Sequence, residues 1–377
     1  MVSAGRRGAG AGVRTADVVV LGAGLVGLGV AAEAAARGAS VLLVGEPRFG
    51  EASPAGAGML APGAEGDELR SEAVRRFAIA GRDLYPSFLS ALTNETGTAV
   101  PFDRNGILEL VEETEPARVP DGSEWIDARA LRTLEPELGD FAGAVLHPHD
   151  GSVDNLALLV AMRRRVELRR TIERVRASAR SVNVLAARPR VILEDGDVLQ
   201  GGSLVIATGA WAAEIDGLPR AIPVRPVRGQ LLMLEGALSS HVIYGGGGYL
   251  VPRRYPNSAD TLERTIVGAT MEEVGFDSNT TVDGLAYLTA IAHRIAPATT
   301  SALPVSHWAG LRPVTPDRLP ILGPDPDAPH LLYACGHGRN GILLAPITGE
   351  AIGALAVGAP TPFDLSPFGI ERFAEVN

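Results

Sequence analysis

The sequence predicts an α/β fold with two unlike sheets, one parallel and one antiparallel. Three observations carry this reading. Residues 17–36 (DVVVLGAGLVGLGVAAEAAA) run from a short apolar strand through glycines into an alanine-rich helix. Residues 335–341 (CGHGRNG) form a second glycine-rich turn between an apolar strand and an apolar helix. Between them, residues 222–306 alternate apolar and polar positions with turn residues, the pattern of an antiparallel sheet with one face available to a cavity.

The first of these stretches is the most informative. Gly22 permits the tight turn, Gly24 lets a pyrophosphate approach the backbone, and Gly27 lets the helix pack closely. Leu25 and Val26 open the helix, whose N–H groups and positive dipole end face the phosphates. A Rossmann-like dinucleotide-binding unit follows from this context. The second turn can present N–H groups to a partly negative acceptor in the same way.

Composition narrows the class. The chain has 377 residues, 46% hydrophobic and 21% charged, enough for about two domains. A net charge of −10 argues against nucleic acid, which needs a basic face. One cysteine, Cys335, excludes an intramolecular disulfide and fits a reducing, cytoplasmic setting. No apolar run reaches the roughly 20 residues of a membrane span. The start carries Arg6 and Arg7 without an apolar segment behind them, and reads as a disordered tail instead of an export signal.

Taken in order, residues 40–44 form the second parallel strand. An acid normally ends this strand and holds the adenosine ribose; here Gly45 stands there and Glu46 follows. Either Glu46 reaches the ribose or backbone and water do so. Residues 50–63 (GEASPAGAGMLAPG) are small and almost uncharged, suited to lie against a flat cofactor. A helix is expected over 67–93, strands at 100–102 and 106–111, and a short helix over 125–138 with Asp127 as N-cap. His147, His149 and Asp150 surround Pro148 and Gly151, which is turn chemistry, and no metal site is expected. A helix over 153–175 carries arginines at 163–165 and 169–170, read as a solvated face.

Strands follow at 191–193 and 203–208, the latter ending in Thr208-Gly209-Ala210-Trp211. That ending resembles the second nucleotide-contacting strand of two-dinucleotide-type flavoproteins. Strands at 229–234, 249–253 and 265–271 make the antiparallel sheet, and 282–295 a helix. Gly245 to Gly248 must be a flexible or tightly turning loop. Residues 307–323 show little periodicity, and 331–334 form a last strand. The expected division is a disordered tail at 1–15, a discontinuous dinucleotide unit at 16–85, 141–215 and 306–365, and a substrate unit at 86–140 and 216–305. Trp211 and Trp308 read as core residues.

The fragments AGAGMLAP, YLVPR, GATM, WAGLRP and GHGRNGILLAP occur in this order across residues 17–358. Together they resemble the glycine oxidases of the D-amino-acid oxidase class of flavoproteins, those serving thiazole synthesis for thiamin. The resemblance implies non-covalent FAD along Gly22, Gly24, Leu25, Val26 and Gly27, with contacts from Ser53, Ala57, Gly58, Met59, the Val182 backbone and Gly209. It extends the contact set to His337, Gly338, Arg339, Asn340, Gly341, Ile342 and Leu343. It implies that Arg312 holds a substrate carboxylate, assisted by Tyr249 and Arg339, with Met271 on the cavity wall.

Such an enzyme moves a hydride from a small amino acid to the cofactor, so the protein needs orientation more than a strong base. An arginine suits the carboxylate, because its planar fork makes two parallel charge-assisted hydrogen bonds. Arg339 either faces the cavity or caps nearby carbonyls; His337 either tunes the flavin or is structural. The implied reaction takes glycine or a related amino acid to the imine, with dioxygen reduced to peroxide. A dehydrogenase of the same fold acting on D-amino acids or sarcosine and a non-catalytic FAD-binding subunit are the alternatives. No nucleic-acid or membrane partner is expected, and a homo-oligomer stays open.

Overall fold

A computed structural model describes residues 13–66, 71–113, 118–186, 188–256 and 261–373. The tail expected at 1–15 therefore lies, up to residue 12, outside the described residues.

The first sheet is centred on the strand Arg14–Leu21. Val41–Val44 pairs parallel on one side of it and Val198–Ile206 on the other. Val18 and Val20 face one apolar core while Val19 and Leu21 face another, so both sides of the strand are buried. That is why the run is apolar without alternation. The helices Leu25–Ala36 and Gly341–Ala356 pack on one face, together with Glu72–Thr96 and Asn155–Leu168. The strand Leu331–Cys335 pairs parallel with the end of Val198–Ile206. Both glycine turns thus follow parallel strands of one sheet that flank Val198–Ile206, at the carboxyl ends where ligands bind in such sheets.

The second sheet has eight strands in the order Pro304–Val314, Arg225–Glu235, Thr261–Gly268, Gly248–Pro256, Val242–Gly245, Ile107–Val111, Gly143–His147 and Glu124–Asp127. Every pairing is antiparallel except Val242–Gly245 with Ile107–Val111. A small third sheet joins Met59–Leu60, Gly151–Val153 and Phe102–Asp103.

Several local expectations change. The helix expected over 67–93 runs Glu72–Thr96 behind a Ser71 cap, and 67–70 lie outside the described residues. Asp127 caps as expected, accepting from Ala130 N at 2.8 Å, but Glu124–Asp127 before it is an edge strand. The helix over 153–175 ends at Leu168, and Ile172–Val175 becomes a parallel strand beside Val41–Val44. Its arginines are not simply solvated: Arg165 and Arg169 pair with Glu95 at 2.8 and 2.9 Å. Residues 304–314, aperiodic in sequence, form an eleven-residue strand. This strand and Gly143–His147, both expected chiefly with the dinucleotide unit, belong to the second sheet. Gly246 and Gly247 are the two central residues of a hairpin turn, with φ of 59° and 88°. Two positive φ values define the primed turn that matches strand twist, so glycine is required there.

Candidate active site

One cavity of about 1220 Å³ runs along the junction of the two large sheets. It exceeds the ~300–1,000 Å³ of pockets for drug-sized ligands, so its occupant is long. One end is closed by Glu46 and Ser178, the middle by both glycine turns, and the other end by Tyr249 and Arg312.

At the first turn, Gly22 has φ +109° and a Cβ there would stand 2.1 Å from Ala207 O. A Cβ on Gly27 would stand 1.9 Å from Gly22 O. These two glycines close the turn on itself. Gly24 differs: its nearest contact would be Ser53 Oγ at 3.1 Å, and it lines the cavity. Ser53 Oγ accepts from Leu25 N at 3.1 Å and so satisfies one donor at the helix start.

Gly45 is also explained. A Cβ there would meet Ala23 N and Cβ at 2.9 Å, because the strand end abuts the glycine turn. The acid is displaced by one residue. Glu46 is exposed at the cavity edge, where its carboxylate accepts from Ser178 Oγ at 2.8 Å. Arg48 donates to the same hydroxyl at 2.9 Å and lies over the Trp211 ring, 5.3 Å from its centroid. Trp211 therefore belongs to the cavity wall and not to the core as expected. Trp308 donates to Ala55 O at 3.0 Å and packs on an apolar cluster.

Two sequence-derived contacts move. The Val182 backbone is turned elsewhere, its N–H donating to Asp216 O at 2.8 Å, and the cavity is lined instead by Ala177 to Arg180. Leu343 faces the helix core, and the wall ends at Ile342. Helical geometry explains the second change, since successive side chains point some 100° apart. Gly27 acts through packing and does not line the cavity. The remaining contacts lie on the wall: Ala57, Gly58, Met59, Gly209, and the run from His337 to Ile342. The loop carrying Ala57 is pinned by buried Arg253, which donates to Ala57 O and, at 3.0 Å, to Val153 O. Arg253 is the arginine of the YLVPR fragment.

At the far end, Arg312 rises from Pro304–Val314 and Tyr249 from Gly248–Pro256. The two side chains line the same cavity and act on each other electrostatically. Arg312 also donates to Thr270 O at 3.0 Å. Burial lowers the Arg312 pKa and raises that of Tyr249. Arg339, from the second glycine turn, donates to Glu65 at 2.7 Å. Glu65 is only 7% exposed and escaped the sequence reading, because it lies just past a stretch of small uncharged residues. Met271 lines the mouth and is half exposed. His337 is buried, shares a 3.1 Å hydrogen bond with Thr348, and burial pushes its pKa down to about 4. Cys335 is buried and its pKa is pushed up to about 12. His147 bonds Glu109 and Ser123, and Asp150 accepts from Gly63 N, Ala64 N and Arg82. Among the described residues no helix is long and apolar enough to cross a membrane.

The fold and cavity define the class of a dinucleotide-cofactor protein, with a long cavity at the carboxyl ends of a parallel sheet. Residues 17–355 match the FAD dependent oxidoreductase family, and the chain belongs to it. It is 34% identical to the bifunctional protein ThiO/ThiG of Synechocystis sp. over 369 residues, which cover 95% of this chain and 54% of that protein. The chain thus spans about half the length of such relatives. It is 30% identical to the glycine oxidase of Geobacillus kaustophilus, covering 94% of this chain and 97% of that one. The crystal structure of glycine oxidase from that organism superposes with a TM-score of 0.85 over 96% of this chain and 99% of that chain, at 28% identity. FAD is the cofactor, and the long cavity with two helix N-termini on its wall fits it.

Proposed function

We propose that the protein oxidises glycine, or another small amino acid, to the imine with reduction of dioxygen to hydrogen peroxide. The observation that carries the reading is the half-buried Arg312 beside buried Tyr249 on the wall of an FAD-sized cavity. The chemistry supplied by bound FAD is acceptance of a hydride from the substrate α-carbon and delivery of the electron pair to dioxygen.

The chain's own part is placement. Arg312 grips the carboxylate through two charge-assisted hydrogen bonds, which are strong in a site shielded from water. The Tyr249 hydroxyl adds a donor on the same carboxylate. The substrate amine reaches the pocket as the free base, its proton left to solvent, so no basic side chain is asked to remove it. His337, neutral in its buried position, carries no charge beside the second turn at neutral pH. The burial of Cys335, which raises its thiol pKa, supports non-covalent attachment. The reading places the protein in the cytoplasm and makes the imine a precursor for the thiazole of thiamin, in keeping with the ThiO and glycine oxidase names of its relatives.

The test is a panel of glycine, sarcosine and small D-amino acids in air, with peroxide release and flavin reduction followed together. Peroxide formed with glycine supports the oxidase. Flavin reduction without peroxide would make the protein a dehydrogenase.

A further inference from the structure

We propose that Glu65 restricts the substrate pocket to amino acids with a single carboxylate, by holding Arg339 in an ion pair. The inference rests on the reading of this cavity as a small-amino-acid site.

Both Arg312 and Arg339 act electrostatically on the Tyr249 hydroxyl, so both cations stand at the same end of the cavity. Two guanidinium groups would suit a substrate with two carboxylates. Glu65 changes that count. Glu65 lies on the cavity wall and its carboxylate accepts from Arg339 Nη2 at 2.7 Å, so the Arg339 cation is already engaged by a fixed carboxylate. The neighbouring Arg228 is matched by Glu272 and Asp277 at 2.6 and 2.7 Å. Asp283, another acid on the cavity wall, is exposed.

One substrate carboxylate is therefore balanced by Arg312. A second would enter beside the fixed Glu65 carboxylate, and like charges held close together repel. Discrimination of this kind works through a built-in repulsive group, not a better fit for the favoured ligand. Backbone anchors the device, since Glu65 N donates to Ala61 O at 2.9 Å. Glu65 is a positioning residue, acting on selectivity through Arg339.

Calorimetric titration of the FAD-loaded protein with acetate and with malonate tests this by equilibrium binding, without turnover. Glu65→Gln keeps the shape and removes the charge. It is expected to improve malonate affinity relative to acetate by roughly tenfold or more, a size typical of relieved like-charge contacts. Glu65→Asp should restore the original ratio. An unchanged ratio in Glu65→Gln overturns the proposal. Should that variant lose FAD, the unaltered protein decides: iminodiacetate should bind at least about tenfold more weakly than its monoamide. Equal binding would overturn the proposal. Failure of glycine to reduce the flavin would sink the oxidase reading while leaving these binding ratios to judge Glu65 alone.

Discussion

The Arg312 guanidinium lies flat across Gly229 on the neighbouring strand. A Cβ at 229 would stand 2.1 Å from Arg312 Nη1 and 2.3 Å from Cζ. Tyr249 has the same arrangement with Gly268, where a Cβ would fall 2.0 Å from the ring. Each of these two side chains thus rests in a bare patch of backbone made by a glycine on the adjacent strand.

Gly229→Ala should push Arg312 off this bed without touching the cofactor cradle. The expected result is an unaltered visible flavin spectrum and a KM for glycine raised by roughly 10- to 100-fold, in line with the ~1.5–3 kcal/mol of a hydrogen bond to a charged group. Steady-state kinetics checks it; an unchanged KM would remove Arg312 from substrate binding.

Gly27 and Gly24 should separate folding from cofactor binding. Gly27→Ala forces a Cβ to 1.9 Å from backbone that cannot yield, and is expected to cost ~3 kcal/mol or more and give insoluble protein. Gly24→Ala meets only the Ser53 hydroxyl at 3.1 Å. It should fold, with a melting curve near that of the unaltered apoprotein, yet bind FAD at least about tenfold more weakly because the pyrophosphate loses its close approach.

Glu46→Ala should weaken FAD by about 5- to 20-fold, the loss of one or two hydrogen bonds to a ribose. Titration of apoprotein with FAD measures it. Equal affinity would assign the ribose to backbone and water.

His337 gives a pH signature. Its folded pKa is depressed to about 4, below the ordinary value near 6.5. Above pH ~6.5 both folded and unfolded forms are neutral, and stability is full. As pH falls from there toward 4, the unfolded chain takes up a proton that the buried ring refuses, so stability is lost. The loss amounts to ~2 kcal/mol by pH 5 at about 1.4 kcal/mol per unit. His337→Gln should flatten the melting temperature between pH 7 and 5 relative to the unaltered protein. An identical decline in both would contradict the burial argument.

What the sequence made legible was local. The turn at Gly22–Gly27 could be read because strand, glycines and helix are consecutive. Arg312 and Tyr249 could be singled out only through a family resemblance. Their meeting depends on strand pairing, Arg312 lying opposite Val227 and Tyr249 opposite Gly268. Glu65 stayed hidden because its partner Arg339 is 274 residues away. The strand Ile172–Val175 was masked by the arginine-rich helix before it, and only its place beside Val41–Val44 makes it a strand. Leu343 shows the limit of contacts carried over by likeness, since one residue's rotation along a helix turns a side chain from the cavity to the core.

The most direct test is anaerobic addition of glycine to the purified yellow protein and to Arg312→Ala. The unaltered protein should bleach as its flavin is reduced, and readmitted air should restore the colour with release of peroxide. Arg312→Ala should start equally yellow and bleach only at glycine concentrations ~100-fold higher or more. A protein that binds no FAD, or one whose flavin glycine and the other small amino acids leave oxidised, would contradict the account.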